Sequence, residues 1–228
     1  MAGDTLVTVD NVEKKFGKMI ALGGVTLSLA KNSQYVITGA SGSGKSTLLY
    51  LLGGLDIPSK GDIFIEGRNL TSLGDELLAT FRNKFVGFVF QFHFLLPTMD
   101  CMNNILLPAR IGGFDISKIK EETTELAGIL GITHCLSKYP FELSGGEQQR
   151  VNIVRSLSLK PKLLLCDEPT GNLDSQNSDI VITLLMELTQ KYGSTLVVVT
   201  HDRSVAARFK NRFTLRDGKV DSLSVSGV

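Results

Sequence analysis

The nine residues from Gly39 to Thr47, GASGSGKST, constrain the fold of this chain more than any other stretch. They follow an apolar run, YVIT, and precede an apolar-periodic segment from Lys45 to Leu55, giving the order strand, glycine-rich loop, helix. The loop matches GxxxxGK[ST], in which backbone N–H groups curl around phosphates and the helix dipole favours negative charge at its N-terminus. Lys45 is then placed to reach β and γ phosphates, and the Ser46 hydroxyl to ligate magnesium. Gly39, Ala40, Ser41, Gly42, Ser43, Gly44 and Thr47 complete the binding segment. The competing reading is a glycine-rich turn with no ligand; strand, loop, Lys-Ser pair and helix together favour the nucleotide.

The rest of the chain predicts an α/β fold built around that loop. YVITG, KFVGFVF, KLLLCD and TLVVVT are short, nearly continuous apolar runs, the pattern of parallel strands buried on both faces. Helical patterns lie between them, notably Lys45 to Leu55 and Asp179 to Lys191. LVTVD, VTLSL and GDIFIEG alternate apolar and polar residues and predict an antiparallel edge sheet early in the chain. No strand pattern occurs from about residue 92 to residue 160, so that stretch reads as an inserted helical subdomain, entered through the loop Leu95 to Pro97. Near the end, RFTLRDGKVDSL places Asp217 and Gly218 between two extended runs, a hairpin signal. The 228 residues, 43% hydrophobic, bury one core, and 1–228 reads as a single domain.

Composition narrows the partners. A net charge of +1 with 21% charged residues leaves no basic block to hold nucleic acid by charge alone. The three cysteines, Cys101, Cys135 and Cys166, lack zinc-site or disulfide spacing, which fits a reducing cytosol. The start of the chain has no signal-peptide pattern, and no apolar run reaches the ~20 residues of a membrane span. Work at a membrane would therefore depend on another chain.

KLLLCDEPT supplies a second half for the phosphate site. A buried strand ending in Asp167 puts a carboxylate at the sheet edge where open α/β folds bind ligands, on the magnesium side. Glu168 follows and can turn toward the γ phosphate as the base for the attacking water, the alternative being a surface ion pair. LSGGEQQR, Leu143 to Arg150, opens another helix: Ser144 and Glu147 have capping-box spacing around Gly145 and Gly146. The box accounts for the serine and the glutamate. It leaves two glycines unexplained where helix formers would be better by roughly 1 kcal/mol each.

With GASGSGKST, LSGGEQQR and LLLCDEPT in this order, the chain resembles the ATP-binding subunit of an ATP-binding cassette (ABC) transporter, over nearly its whole length. The resemblance implies a P-loop NTPase core, ATP and Mg2+ as ligands, and a head-to-tail dimer with a second copy of the chain. In that dimer Ser144, Gly145, Gly146 and Glu147 complete the ATP site of the partner. It further implies that Phe16 faces adenine, unless it is a core phenylalanine. Gln91 senses magnesium, unless it is a polar strand cap. His201 contacts the γ phosphate, and Thr170 to Asp174 crosses between the two sites. His93 and His134 match no family motif and read as ordinary.

GLDIPSKGDIFIEGRNLTSL and FRNKFVGFVFQFHFLLPTMDCMNNILLPA are similar to the subfamily of lipoprotein-release, macrolide-export and FtsE-type ATPases. That implies a peripheral protein on the cytoplasmic face of the inner membrane, working with permease subunits that carry a large extracytoplasmic domain. A regulatory cassette that moves no substrate is the alternative, and a soluble cassette acting on DNA or ribosomes is a third reading. Asn103, Asn104 and Ile105 replace the subfamily's usual Glu-Asn-Val, and the apolar Phe92, His93 and Phe94 follow Gln91. Both departures are expected where the helical subdomain meets the membrane partner.

Overall fold

The computed structural model describes residues 5–171 and 173–225, with side chains through residue 221. The first four residues, and Asn172 within the expected crossing loop, lie outside that range. Two long strands, β1 (Thr5–Phe16) and β2 (Met19–Ala30), come first, and β3 (Gln34–Thr38) leads through the glycine loop into α1 (Lys45–Leu52). β4 (Lys60–Ile65) and β5 (Arg68–Asn69) are followed by α2 (Asp75–Phe85) and β6 (Val86–Val89). α3 (Cys101–Gly112), α4 (Ile116–Ile129) and α5 (Gly145–Leu157) form the helical subdomain. The core then resumes with β7 (Leu163–Asp167), α6 (Ser175–Tyr192), β8 (Thr195–Val199), α7 (Arg203–Ala207), β9 (Asn211–Arg216) and β10 (Lys219–Val225).

Strands β9, β3, β8, β7 and β6 lie side by side and parallel, with β10 antiparallel at the β9 edge. All five residues of β7 and of β8 are buried, and the two-residue side-chain period shows why both strands read as unbroken apolar runs. Leu163, Leu165, Val197 and Val199 face a core shared with α1 and the antiparallel strands. Leu164, Cys166, Leu196 and Val198 face a second core shared with α5 and α6. Neither face meets water, so polar residues are confined to the strand ends, Asp167 and Thr195, where each is hydrogen-bonded. The β9–β10 hairpin turns through Asp217 and Gly218, both at positive φ, as the Asp-Gly pair predicts.

The antiparallel strands form the expected N-terminal β subdomain, a sheet separate from the main one, in the order β2-β1-β4-β5 and packed over α1. Three boundaries need correcting. KFVGFVF is split: Lys84 and Phe85 end α2, and the strand begins only at Val86. α1 stops at Leu52, where Gly53 and Gly54 follow and Gly54 takes a left-handed φ of 66°. α6 begins a turn before Asp179, because the Asp174 side chain accepts the Asn177 N–H at 2.8 Å and caps it earlier.

The Asn103 to Ile105 departure is also only partly on the surface. Asn104 and Ile105 are fully buried. The Asn104 side chain accepts from the Leu96 N–H at 2.7 Å and donates to the carbonyls of Leu96, Met99 and Asp100 at 3.1, 3.0 and 3.0 Å. It therefore pins the loop that enters the helical subdomain. Phe92 and Phe94, by contrast, are exposed. Asn104→Ala strands buried backbone groups and is expected to destabilise the fold by about 2 kcal/mol or more. Asn103→Ala removes only an exposed bond from Arg110 and is expected to stay within about 0.5 kcal/mol. Urea denaturation of the two variants checks the contrast; equal midpoints would show that Asn104 is not the pin.

Candidate nucleotide site

The loop after β3 is shaped by backbone that only glycine fits. Gly44, the residue before α1, has φ 99°, and a Cβ there would lie 2.5 Å from the Ala21 carbonyl oxygen. No side chain caps α1, and its first turn holds no acidic residue, so its leading N–H groups and positive end are left to a ligand. Lys45 is buried, with Nζ donating to the carbonyls of Gly39 and Ala40 at 3.0 and 2.9 Å. Ser43 Oγ is buried without a hydrogen-bond partner. A cradle of free donors with a lysine folded across it fits a polyphosphate.

A cleft of about 670 Å³ opens over this loop and brings most of the expected residues together. Phe16, Ser41, Gly42, Gly44, Lys45, Ser46, Thr47, Gln91, Glu168 and His201 all line it. Gly39, Ala40 and Ser43 instead border a neighbouring hollow behind the loop, beside Leu215 and Arg216. Phe16 is half exposed at the cleft wall, against its reading as a core residue. Met19 and Ile20 widen the apolar wall beside it, and sequence reasoning missed both.

Asp167 lies behind Ser46, whose hydroxyl donates to Oδ1 at 3.0 Å, while the Tyr50 hydroxyl donates to Oδ2 at 3.0 Å. Burial pushes the Asp167 carboxyl up from its usual range, the two hydroxyls oppose the shift, and the Glu168 charge adds to it. Burial and Asp167 push Tyr50 to about 12, so it remains a donor. A half-desolvated carboxylate beside a hydroxyl is a hard-oxygen pair, and these donors fit Mg2+. Tyr50 was not anticipated from the sequence, although its place one turn after Ser46 on an apolar helix was a signal.

Glu168 follows β7 at φ 46°, a left-handed conformation that costs a non-glycine residue about 1 kcal/mol or more. The bend is held by the Glu168 N–H donating to Val199 O at 2.9 Å and by the Gly171 N–H donating to Glu168 O at 3.0 Å. It turns the carboxylate away from Asp167. There it accepts from Thr200 Oγ1 at 3.0 Å and from the His201 N–H at 3.1 Å, and it pairs with His201 Nδ1 at 2.7 Å. Thr200 is a further residue that sequence reasoning missed.

The LSGGEQQR segment does not line this cleft. Its capping box is present: the Glu147 N–H donates to Ser144 Oγ at 3.3 Å, and the Ser144 N–H to Glu147 Oε2 at 2.8 Å. Among the described residues, nothing requires these two glycines. A Cβ on Gly145 would meet no atom within 4 Å, one on Gly146 none nearer than 3.8 Å, and neither residue has a positive φ.

Comparison with known proteins gives the family. The ABC transporter family model matches residues 22–171. The lipoprotein-releasing system ATP-binding protein LolD of Geobacter metallireducens is 44% identical over 220 residues, covering 95% of this chain and 98% of that protein. LolD of Bdellovibrio bacteriovorus is 43% identical, covering 90% and 94% respectively. Among solved structures, the dimeric bacterial ABC transporter cassette MJ0796 has a TM-score of 0.89 at 34% identity, covering 98% of this chain and 100% of that one. A dimeric post-hydrolysis state of MJ0796, bound to ADP and Pi, has a TM-score of 0.87 at 35% identity with the same coverage. A phosphate cradle, an adjoining acid pair and near-complete coverage by such relatives lead to one conclusion: this chain belongs to the ABC transporter family.

Proposed function

We propose that this chain, an ATP-hydrolysing ABC transporter subunit, pairs with a second copy around two ATP molecules and drives permease subunits in lipoprotein release. In this reading it sits on the cytoplasmic face of the membrane, and its permease partner carries a large extracytoplasmic domain. The observation that carries the enzymatic reading is one cleft lined by Gly42, Gly44, Lys45, Ser46, Glu168 and His201, with Asp167 hydrogen-bonded to Ser46 and Thr200 to Glu168. The cargo reading draws on the lipoprotein-releasing relatives, which align over 95% and 90% of this chain.

Each residue has a role that follows from its surroundings. Phe16, with Met19 and Ile20, offers adenine an apolar wall. Lys45 leaves its carbonyl partners for the β and γ phosphates. Ser46, Asp167 and Gln91 would hold Mg2+, which supplies charge neutralisation at the phosphates. Glu168 orients the attacking water and takes its proton, and Thr200 and the His201 N–H hold the carboxylate in its bent position. With Nδ1 on Glu168, His201 keeps Nε2 for the γ phosphate.

Ser144, Gly145, Gly146 and Glu147 would serve the other protomer. Bare backbone at a helix start is where a phosphate can come closest, and here no neighbour among the described residues requires it to be bare. Ser144→Arg is expected to fold and bind ATP but not hydrolyse it, and Lys45→Ala to be inactive as well. In a sorted dimer of one Ser144→Arg chain and one Lys45→Ala chain, both lesions fall in one composite site and the other stays intact. Turnover recovered in that mixed dimer is the expected result. No recovery would mean that the sites are not shared or must fire together, which the ATP-bound dimer structure separates.

Isolation of the complex from membranes tests the partner. A co-purifying membrane protein with a large extracytoplasmic domain, and lipoproteins retained in the membrane on depletion of this chain, are expected. A partner lacking such a domain, or lipoproteins released normally, would contradict the assignment.

A further inference from the structure

Away from the nucleotide cleft, one cluster joins three kinds of metal ligand. A short turn, Thr133–Cys135, sets His134 and Cys135 beside Glu147 in the first turn of α5. His134 Nε2 lies 2.9 Å from Glu147 Oε1; Cys135 Sγ lies 3.4 Å from that nitrogen and 3.5 Å from that oxygen. Tetrahedral zinc, with bonds of about 2.3 Å to sulfur and about 2.0–2.1 Å to nitrogen and oxygen, spaces its ligand atoms about 3.5 Å apart for S–N and S–O and about 3.3 Å for N–O. The three donors therefore outline one face of such a tetrahedron, with only the N–O edge short.

We propose that His134, Cys135 and Glu147 form a three-ligand site for a zinc-type divalent cation at the start of α5, with water as the fourth ligand. Thiolate and imidazole select zinc over magnesium or calcium, so the site differs in kind from the hard-oxygen pair at Asp167. Glu147 can serve both purposes at once: Oε2 holds the Ser144 N–H and hydroxyl, which leaves Oε1 for the cation. Cys135 is buried beneath the pair, while the side chains of His134 and Glu147 are 58% and 22% exposed, so entry is from the solvent side. Binding releases the Cys135 thiol proton to solvent.

The location gives the site a consequence. The Ser144 N–H and hydroxyl donate to the Glu147 carboxylate at 2.8 and 2.6 Å, and this places an acidic group at the helix start where the partner's γ phosphate is proposed to dock. A bound cation would offset that charge and tie the start of α5 to the turn before it. This consequence rests on the proposed role of Ser144; cation binding itself does not.

Cobalt(II), added to the full chain without nucleotide, is the probe. Wild type is expected to bind one equivalent with tetrahedral d–d bands and a thiolate-to-cobalt charge-transfer band, both lost on adding zinc. Cys135→Ser is expected to lose the charge-transfer band, and His134→Gln, at an exposed position, to bind about tenfold or more weakly. Zinc is expected to raise the melting temperature of wild type and not that of His134→Gln. No charge-transfer band in wild type, a band that survives Cys135→Ser, or equal affinity in His134→Gln would overturn the proposal. A wild-type band with zinc-independent ATP turnover would keep the site and remove its link to γ-phosphate docking.

Discussion

The hydrogen-bonded alignment of β3, β8 and β7 is the constraint on which the rest of the structure depends. Ile37 pairs with Val199, and Val199 with Asp167, so the three strands end level. Beyond that edge the Thr200 N–H donates to Ile37 O at 3.1 Å and the Glu168 N–H to Val199 O at 2.9 Å, carrying the ladder one step past the regular strands. The phosphate loop, the acid pair and the Thr200–His201 pair thus leave the sheet at one edge, although they are far apart in sequence. A slip of one residue in β7 would turn Asp167 to the opposite face and break its bond to Ser46.

How much of this was legible in the sequence depends on the range of the interaction. The phosphate loop and the strand ends were legible because residue type, spacing and local context coincide there. The antiparallel strands were legible as an N-terminal β subdomain, but their order, β2-β1-β4-β5, and their packing over α1 are long-range outcomes that alternation does not encode. The parallel pairing of β9 with β3 was hidden for the same reason: the local hairpin signal at Asp217 and Gly218 speaks only for β9 and β10. The boundary of α2 was lost because Phe85 suits both the end of a helix and the start of a strand, and no loop separates them.

Within the site, residues carrying a motif were found, and residues that support them were not. Tyr50 and Thr200 belong to no short pattern; each matters because a fold contact brings it to Asp167 or Glu168. Asn104, which keeps the asparagine of the subfamily's Glu-Asn-Val, proved to be an interior pin. His134 looked ordinary because its partner, Glu147, lies 13 residues away across a turn.

The central claim is that one chain holds two half-sites, a phosphate cradle with its base and a bare helix start that completes the cradle of another copy. Glu168→Gln tests it most directly, since the change keeps side-chain size while removing the base. General-base catalysis contributes about 100-fold to 10,000-fold, so turnover is expected to fall by that order with ATP still bound. ATP retained between Lys45 of one copy and Ser144 of the other should hold the pair together. Sedimentation of Glu168→Gln at high protein concentration is therefore expected to show a dimer with ATP and a monomer with ADP. Near-normal turnover, or a monomer that binds ATP and stays a monomer, would contradict the account.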